Sequence, residues 1–311
     1  VLNNRPNVTP DNRAKVLAAL EATGFVLNAQ AKAMRTSKSG SIGIVTSEIQ
    51  NPFLPYLLDE LTRAATAMSV NVVVWNDESA DARLAVDGMA AGAVDGLIFT
   101  AARQGSTGLQ GLIDRGAPVV LCNRASLDSE ADIVMTDHRA CGRLSGEYLV
   151  RNGRRRIAAI FGSPDTYASP LREAGFVEAL TSAGVDIDPR LVRRGRTGYE
   201  TGSEAIKELL ESGAEIDAVF CSSDIIAYGA MDALKEHGVS VPEDVWVMGI
   251  DGLPMSRWRA FDLTTYEQDV TDLAKLTIER LVSRLGGDHA EPTHQLIPPS
   301  LAIRSSTNSM G

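Results

Sequence analysis

Side chains able to grip hydroxyls and amides stand at the ends of a series of short apolar runs. They are Ser47, Asn51 and Phe53 after residues 41–45, Asn123 and Arg124 after 118–122, Asp137 at the end of 133–137, Ser223 and Asp224 closing 217–223, and Asp251 closing 245–251. Such a wall could act as acid and base, or it could hold the hydrogen-bonding groups of a small ligand; the second role needs no further parts. Phe53 serves such a wall as an aromatic surface or serves the core, and Asp224 and Asp251 serve as ligand contacts or as helix N-caps. Other chemistries lack their parts. The chain has no GxSxG nucleophile turn, no GxxxxGK[ST] phosphate loop and no GxGxxG after its first strand. His289 and His294 fall near a C-terminal loop, and His138 and His237 stand alone. Cys122, Cys141 and Cys221 lack CxxC spacing, which indicates core thiols rather than a disulfide framework or a zinc site. No catalytic residue, metal or cofactor is expected.

The elements that must position this wall follow from periodicity. Runs such as SIGIV, NVVVW, GLIFT, PVVLC and IVMTD alternate with helical patterns such as LPYLLDELTRAATAM, the signature of a parallel sheet with crossover helices. A second series, RIAAIFG, LVRRG, DAVFCSS and VWVMGID, is separated by REAGFVEALTSAG, GSEAIKELLESG and IAYGAMDALKEHG. The fold class is therefore α/β, with two doubly wound halves. Ligands of open parallel sheets bind beyond the carboxyl ends of the strands, so two facing halves place those ends around one cleft. DLTTYEQDV, a helix across 270–285 and QLIPPSLAIR read as crossover and closing segments, with a frayed tail at 305–311.

The first 40 residues are different. TPDNRAKVLAALEATGF predicts a helix with Thr9 as N-cap, Pro10 in its first turn and an apolar stripe of Val16, Leu17 and Leu20. One helix has no core, and its packing partners are expected before Val1. NAQAKAMRTSKSG, residues 28–40, then offers a helix too short to nucleate alone, so a partner must supply its helicity. Through Lys38 the chain carries six basic and two acidic residues, against a net charge of −10 overall. A basic arm on an acidic body points to local contact with a polyanion. No apolar run approaches the ~18 residues of a membrane span and no apolar signal core opens the chain, so no membrane partner and a cytoplasmic location are expected.

The combination resembles the lactose-repressor/galactose-repressor family of transcription regulators over essentially the whole chain. The landmarks are the N-terminal segment just described, NPF (51–53), LREAGF (171–176), SSDIIAYGAM (222–231), VPEDVWVMGIDG (241–252), LTTYEQD (263–269) and IPPSLAIR (297–304). The resemblance implies a periplasmic-binding-protein-like type I fold, a homodimer, and a small effector (a sugar, nucleobase or sugar phosphate) that controls operator DNA binding. It makes Arg172 the effector-binding arginine, Asp251 the carboxylate on a sugar hydroxyl and Phe53 the cleft aromatic, with Asn123 and Gln268 as polar cleft positions. Ser223 stands where the family usually has asparagine, and Thr197 where many members carry an aromatic. The implied layout is 1–27 as the remnant of a helix-turn-helix headpiece, 28–40 as a hinge, and 41–304 as effector domain. Its N-subdomain spans about 41–161 and 269–296, and its C-subdomain about 162–266 and 297–304. In the hinge, Asn28, Ala29, Lys32, Met34 and Arg35 are the DNA-facing positions, Met34 as a minor-groove wedge. The alternatives are a periplasmic-type sugar-binding protein for transport and, third, a sugar-processing enzyme.

Overall fold

Every apolar run read as a strand pairs in one of two six-stranded sheets. The computed structural model describes residues 9–23, 38–47, 49–77, 82–100, 106–124 and 130–308. The first sheet has the order β11-β5-β4-β3-β1-β2 and the second β12-β10-β9-β8-β6-β7. The first contains β1 (Ser41–Thr46), β2 (Asn71–Asn76), β3 (Gly96–Phe99), β4 (Val119–Cys122), β5 (Asp132–Thr136) and β11 (His294–Ile297). The second contains β6 (Ile157–Phe161), β7 (Val192–Arg194), β8 (Ala218–Cys221), β9 (Trp246–Asp251), β10 (Thr264–Glu267) and β12 (Ser300–Ala302). All pairs are parallel except the edge pair of β10 with β12.

The unbroken apolar runs arise because both faces of each sheet are covered. Ile42, Ile44, Ile98 and Val120 pack with Leu57 and Leu61 of α2 (Phe53–Ala67) and with Leu273 and Ile278 of α9 (Val270–Leu285). On the opposite face Val45, Leu97, Phe99 and Leu121 meet Ala85 of α3 (Arg83–Ala90) and Leu109 and Leu112 of α4 (Thr107–Asp114). The second sheet repeats the plan with α5 (His138–Arg151) and α6 (Ala168–Ser182) on one face, and α7 (Tyr199–Glu211) and α8 (Asp224–Glu236) on the other. Phe176 of α6 stacks on Phe220 of β8 with ring centroids 4.1 Å apart.

Reciprocal glycines let these two helix pairs touch backbone to backbone. A Cβ at Gly142 of α5 would overlap the carbonyl of Arg172 on α6, and one at Gly175 of α6 would overlap the carbonyl of Arg139 on α5. Gly202 of α7 and Gly229 of α8 stand in the same relation to the carbonyls of Ile226 and Tyr199.

Two expectations are corrected. Residues 157–161, assigned to the first subdomain, form β6 inside the second sheet, between β8 and β7. Parallel pairing with β8 along residues 157–160 and with β7 along residues 159–161 fixes them there. The tail is not frayed at its start: Ser305–Thr307 form a 3-10 turn with Ser306 and Thr307 buried. Ser306 Oγ donates to the Val247 carbonyl at 2.7 Å and accepts from Thr264 N at 2.8 Å, so it joins β9 to β10. The closing strand β12 runs antiparallel to β10. The capped N-terminal helix is present as α1 (Pro10–Thr23), with Asn12 N on Thr9 Oγ1 at 3.4 Å. It buries no residue, and Val16 and Leu17 of its stripe are exposed. The three cysteines are buried, as expected of core thiols. None of the described helices is long and apolar enough to cross a membrane.

Candidate effector site

The carboxyl ends of both sheets face a cleft of about 780 Å³, counted out to solvent. From the first sheet come Ser47, Asn51, Phe53, Thr100, Asn123 and Arg124; from the second come Arg172, Thr197, Ser222, Ser223 and Asp251, with Gln268 on the crossover between them. Asn51 Oδ1 accepts from Phe53 N at 3.1 Å, a local turn that starts α2 and leaves the Phe53 ring nearly buried at the cleft edge. Phe53 therefore belongs to the core and also borders the cleft. Asn123 has φ +54°, the left-handed region that asparagine tolerates best among residues with a side chain.

A hydrogen-bond chain runs across the floor. Asn123 Nδ2 donates to Gln268 Oε1 at 3.0 Å, and Gln268 Nε2 donates to Asp251 Oδ1 at 2.7 Å. The same oxygen receives Arg172 Nη2 at 2.9 Å, while Arg172 Nη1 donates to the Ser222 carbonyl at 2.6 Å. Arg172 and Asp251 are 5% and 3% exposed, so each charge depends on the other. Burial pushes the Asp251 carboxyl above its usual range, against the pull of Arg172 and Gln268. Asp251 also has φ +135°, a strained conformation at the centre of the wall.

Two expected contacts are elsewhere. Asp137 caps α5, accepting from Ala140 N at 2.8 Å, and does not line the cleft. Asp224 lies fully buried outside the cleft lining, where it accepts from Ser256 Oγ at 2.6 Å, Leu253 N at 2.9 Å and Thr265 Oγ1 at 2.7 Å. Asp137 is thus a helix cap; the capping alternative weighed for Asp224 fails, since Ser223 holds that position and Asp224 anchors the loop that follows Asp251. Asn28, Ala29, Lys32, Met34 and Arg35 lie outside the described residues. Lys38 of the same basic stretch donates to the Leu285 carbonyl at 3.3 Å.

Burial, with the nearby Asp251 charge second, raises the Asp224 carboxyl to about 6. An aspartate in the unfolded chain titrates near ~3.9. The native state thus holds this proton more tightly, and the stability it lends is present below the unfolded value and lost as pH rises through about 6. The melting temperature of Asp224→Asn relative to wild type should therefore climb between pH 5 and 7.5. A constant difference over that range in thermal melts would show that the carboxyl is ionised throughout.

His138 and Tyr167 line the cleft although neither was singled out as a site residue. His138 directly follows Asp137 at the end of β5, so the strand-end rule that selected Asp137 pointed one residue short. Tyr167 precedes α6 within a loop whose sequence carries no such signal.

Two sheets joined by crossovers, with a polar cleft at their carboxyl ends, define a periplasmic binding protein-like unit. The family model for the periplasmic binding protein-like domain matches residues 147–307. The chain is 29% identical to the HTH-type transcriptional regulator CelR of Thermobifida fusca over 98% of its own length and 92% of that protein. Its fold matches a CelR-cellobiose complex with a TM-score of 0.79 at 28% identity, covering 98% of this chain and 93% of the other. It matches the lac repressor dimer bound to operator and the anti-inducer ONPF with a TM-score of 0.87 at 25% identity, covering 99% and 93%. The chain belongs to the lactose-repressor/galactose-repressor family of transcriptional regulators.

Proposed function

We propose that this regulator binds a neutral saccharide in the cleft, and that the bound sugar sets its affinity for operator DNA. The observation that carries the reading is the Arg172–Asp251–Gln268 floor, where a buried carboxylate and its donors meet the ligand space. The cellobiose complex of a similar chain supports the sugar class. Residues 28–40 serve as the hinge that folds on DNA, with Met34 as the minor-groove wedge and Lys32 and Arg35 near phosphates. Pairing of two hinges requires a homodimer. Closing of the cleft would alter the hinge spacing, and linkage then requires operator to change sugar affinity by the same factor. The relatives are regulators, which disfavours the transport alternative.

A thermal-shift screen of cellobiose, other disaccharides, hexoses, pentoses, nucleosides and sugar phosphates tests the ligand class. A saccharide at a hundredfold excess over its Kd should stabilise the native state by about 2.7 kcal/mol. Stabilisation by nucleosides alone would replace the sugar reading with a nucleobase one.

A further inference from the structure

Eight buried side-chain nitrogen or oxygen atoms among the described residues have no hydrogen-bond partner, and four of them sit on residues of the cleft wall. They are His138 Nε2, Tyr167 OH, Arg172 Nε and Ser223 Oγ. Native folds leave few such atoms unpaired, so their concentration around one cavity describes the groups a ligand must bring. Arg172 and Ser223 belong to the wall the sequence already indicated. His138 and Tyr167 do not.

His138 is 1% exposed at the start of α5. Arg172 Nη2, which can only donate, faces its Nδ1 at 3.4 Å, so Nδ1 is the bare nitrogen and Nε2 carries the proton. Burial first, and the Arg172 charge second, hold the ring well below its usual pKa; the Asn123 backbone opposes this but does not meet Nε2 in hydrogen-bond geometry. The orphan is therefore a neutral N–H donor. Tyr167 stands edge-on to it, with ring centroids 6.4 Å apart. Its backbone leads into α6 of the second half, yet its ring packs against the first-sheet cluster that includes Phe99 and Met135. One side chain thus reaches across the cleft and leaves its hydroxyl unpaired at the cavity.

We propose that His138 and Tyr167 form a second polar subsite, in which the imidazole N–H and the phenol contact acceptor oxygens of a neutral polyhydroxylated effector. The subsite selects hydroxyl or ring-ether oxygens rather than an anionic group, because Arg172 is already matched by Asp251 and the imidazole is uncharged. It rests on the saccharide reading above only for the ligand's class. That the two residues face a ligand rests on their unpaired atoms alone.

The test uses His138→Leu and Tyr167→Phe, which remove the orphaned groups at nearly constant volume, and His138→Gln, which restores a donor. Thermal melts of the ligand-free proteins come first. A residue whose polar tip waits for a ligand costs the empty protein stability, so both deleting variants should melt at or above the wild-type temperature. Melting several degrees lower in both would mark the two groups as structural and overturn the proposal. Calorimetry with cellobiose, or the tightest-binding saccharide of the screen, should then show affinity lowered tenfold or more in each deleting variant and partly recovered in His138→Gln. Affinity within twofold of wild type in both deleting variants would also overturn it. Should wild type bind no saccharide, the sugar reading falls and the melts still decide whether this pair faces a ligand.

Discussion

Gly142→Ala should destabilise the ligand-free protein by about 3 kcal/mol or more and weaken effector binding at the same time. A methyl group there would overlap the carbonyl of Arg172, and the reciprocal Gly175 already brings α6 against the Arg139 carbonyl. Backbone cannot swing aside as a side-chain tip can. The two helices must separate, and α6 carries Arg172 while α5 begins with His138, so separation displaces both from the cleft floor. Gly111 provides the contrast within the same chain. A Cβ on that α4 residue would meet only the Arg115 guanidinium, no closer than 3.8 Å. Gly111→Ala should stabilise the protein by about 0.5–1 kcal/mol through helix propensity alone. Urea unfolding of both variants, with equal shifts of either sign, would show that the α5–α6 crossing has slack.

Arg172→Ala should cost about 3–5 kcal/mol of stability and abolish detectable effector binding. The buried Asp251 carboxylate would keep Gln268 but lose its ion-pair partner, and a buried charge without its partner is far more costly than a missing pair. The double variant Arg172→Met with Asp251→Asn separates the two effects. Methionine fills the guanidinium's space, and the asparagine oxygen still accepts from Gln268, so most of the lost stability should return while binding should not. Recovery of binding in the double variant, measured by calorimetry, would show that the floor positions the ligand by shape rather than by charge.

The strands and their membership in two sheets were legible because each is a continuous apolar run, a pattern that only a sheet covered on both faces requires. The boundary at residue 161 belonged to the layout implied by the resemblance and was misplaced, whereas the strand series had already set residues 156–162 with the second half. Parallel pairing with β7 on one side and β8 on the other assigns β6. Within the site, Asn123, Arg124, Ser223 and Asp251 followed from the strand-end rule, and Arg172 and Gln268 from the family resemblance. Asp224 met the same rule but lies against Ser256 and Thr265 instead. Its environment is made by residues 29 to 41 positions away. Tyr167 was invisible for the converse reason: its value comes from reaching the other half of the molecule, which no local pattern encodes. The frayed-tail expectation failed because the small hydroxyls Ser306 and Thr307 look like solvent-facing residues until β9 and β10 are present to bond them.

The last strands of both sheets come from the end of the chain, since β11 completes the first beside β5 and, after a two-residue link, β12 completes the second beside β10. A ribosome making this protein would therefore release neither half in finished form ahead of the other. The edge of β5 stays open from the time residue 136 emerges until residue 297 has been made, more than half of the chain later. At synthesis rates of roughly 5–20 residues per second that interval lasts on the order of ten seconds or more, with an apolar sheet edge exposed to every neighbouring nascent chain.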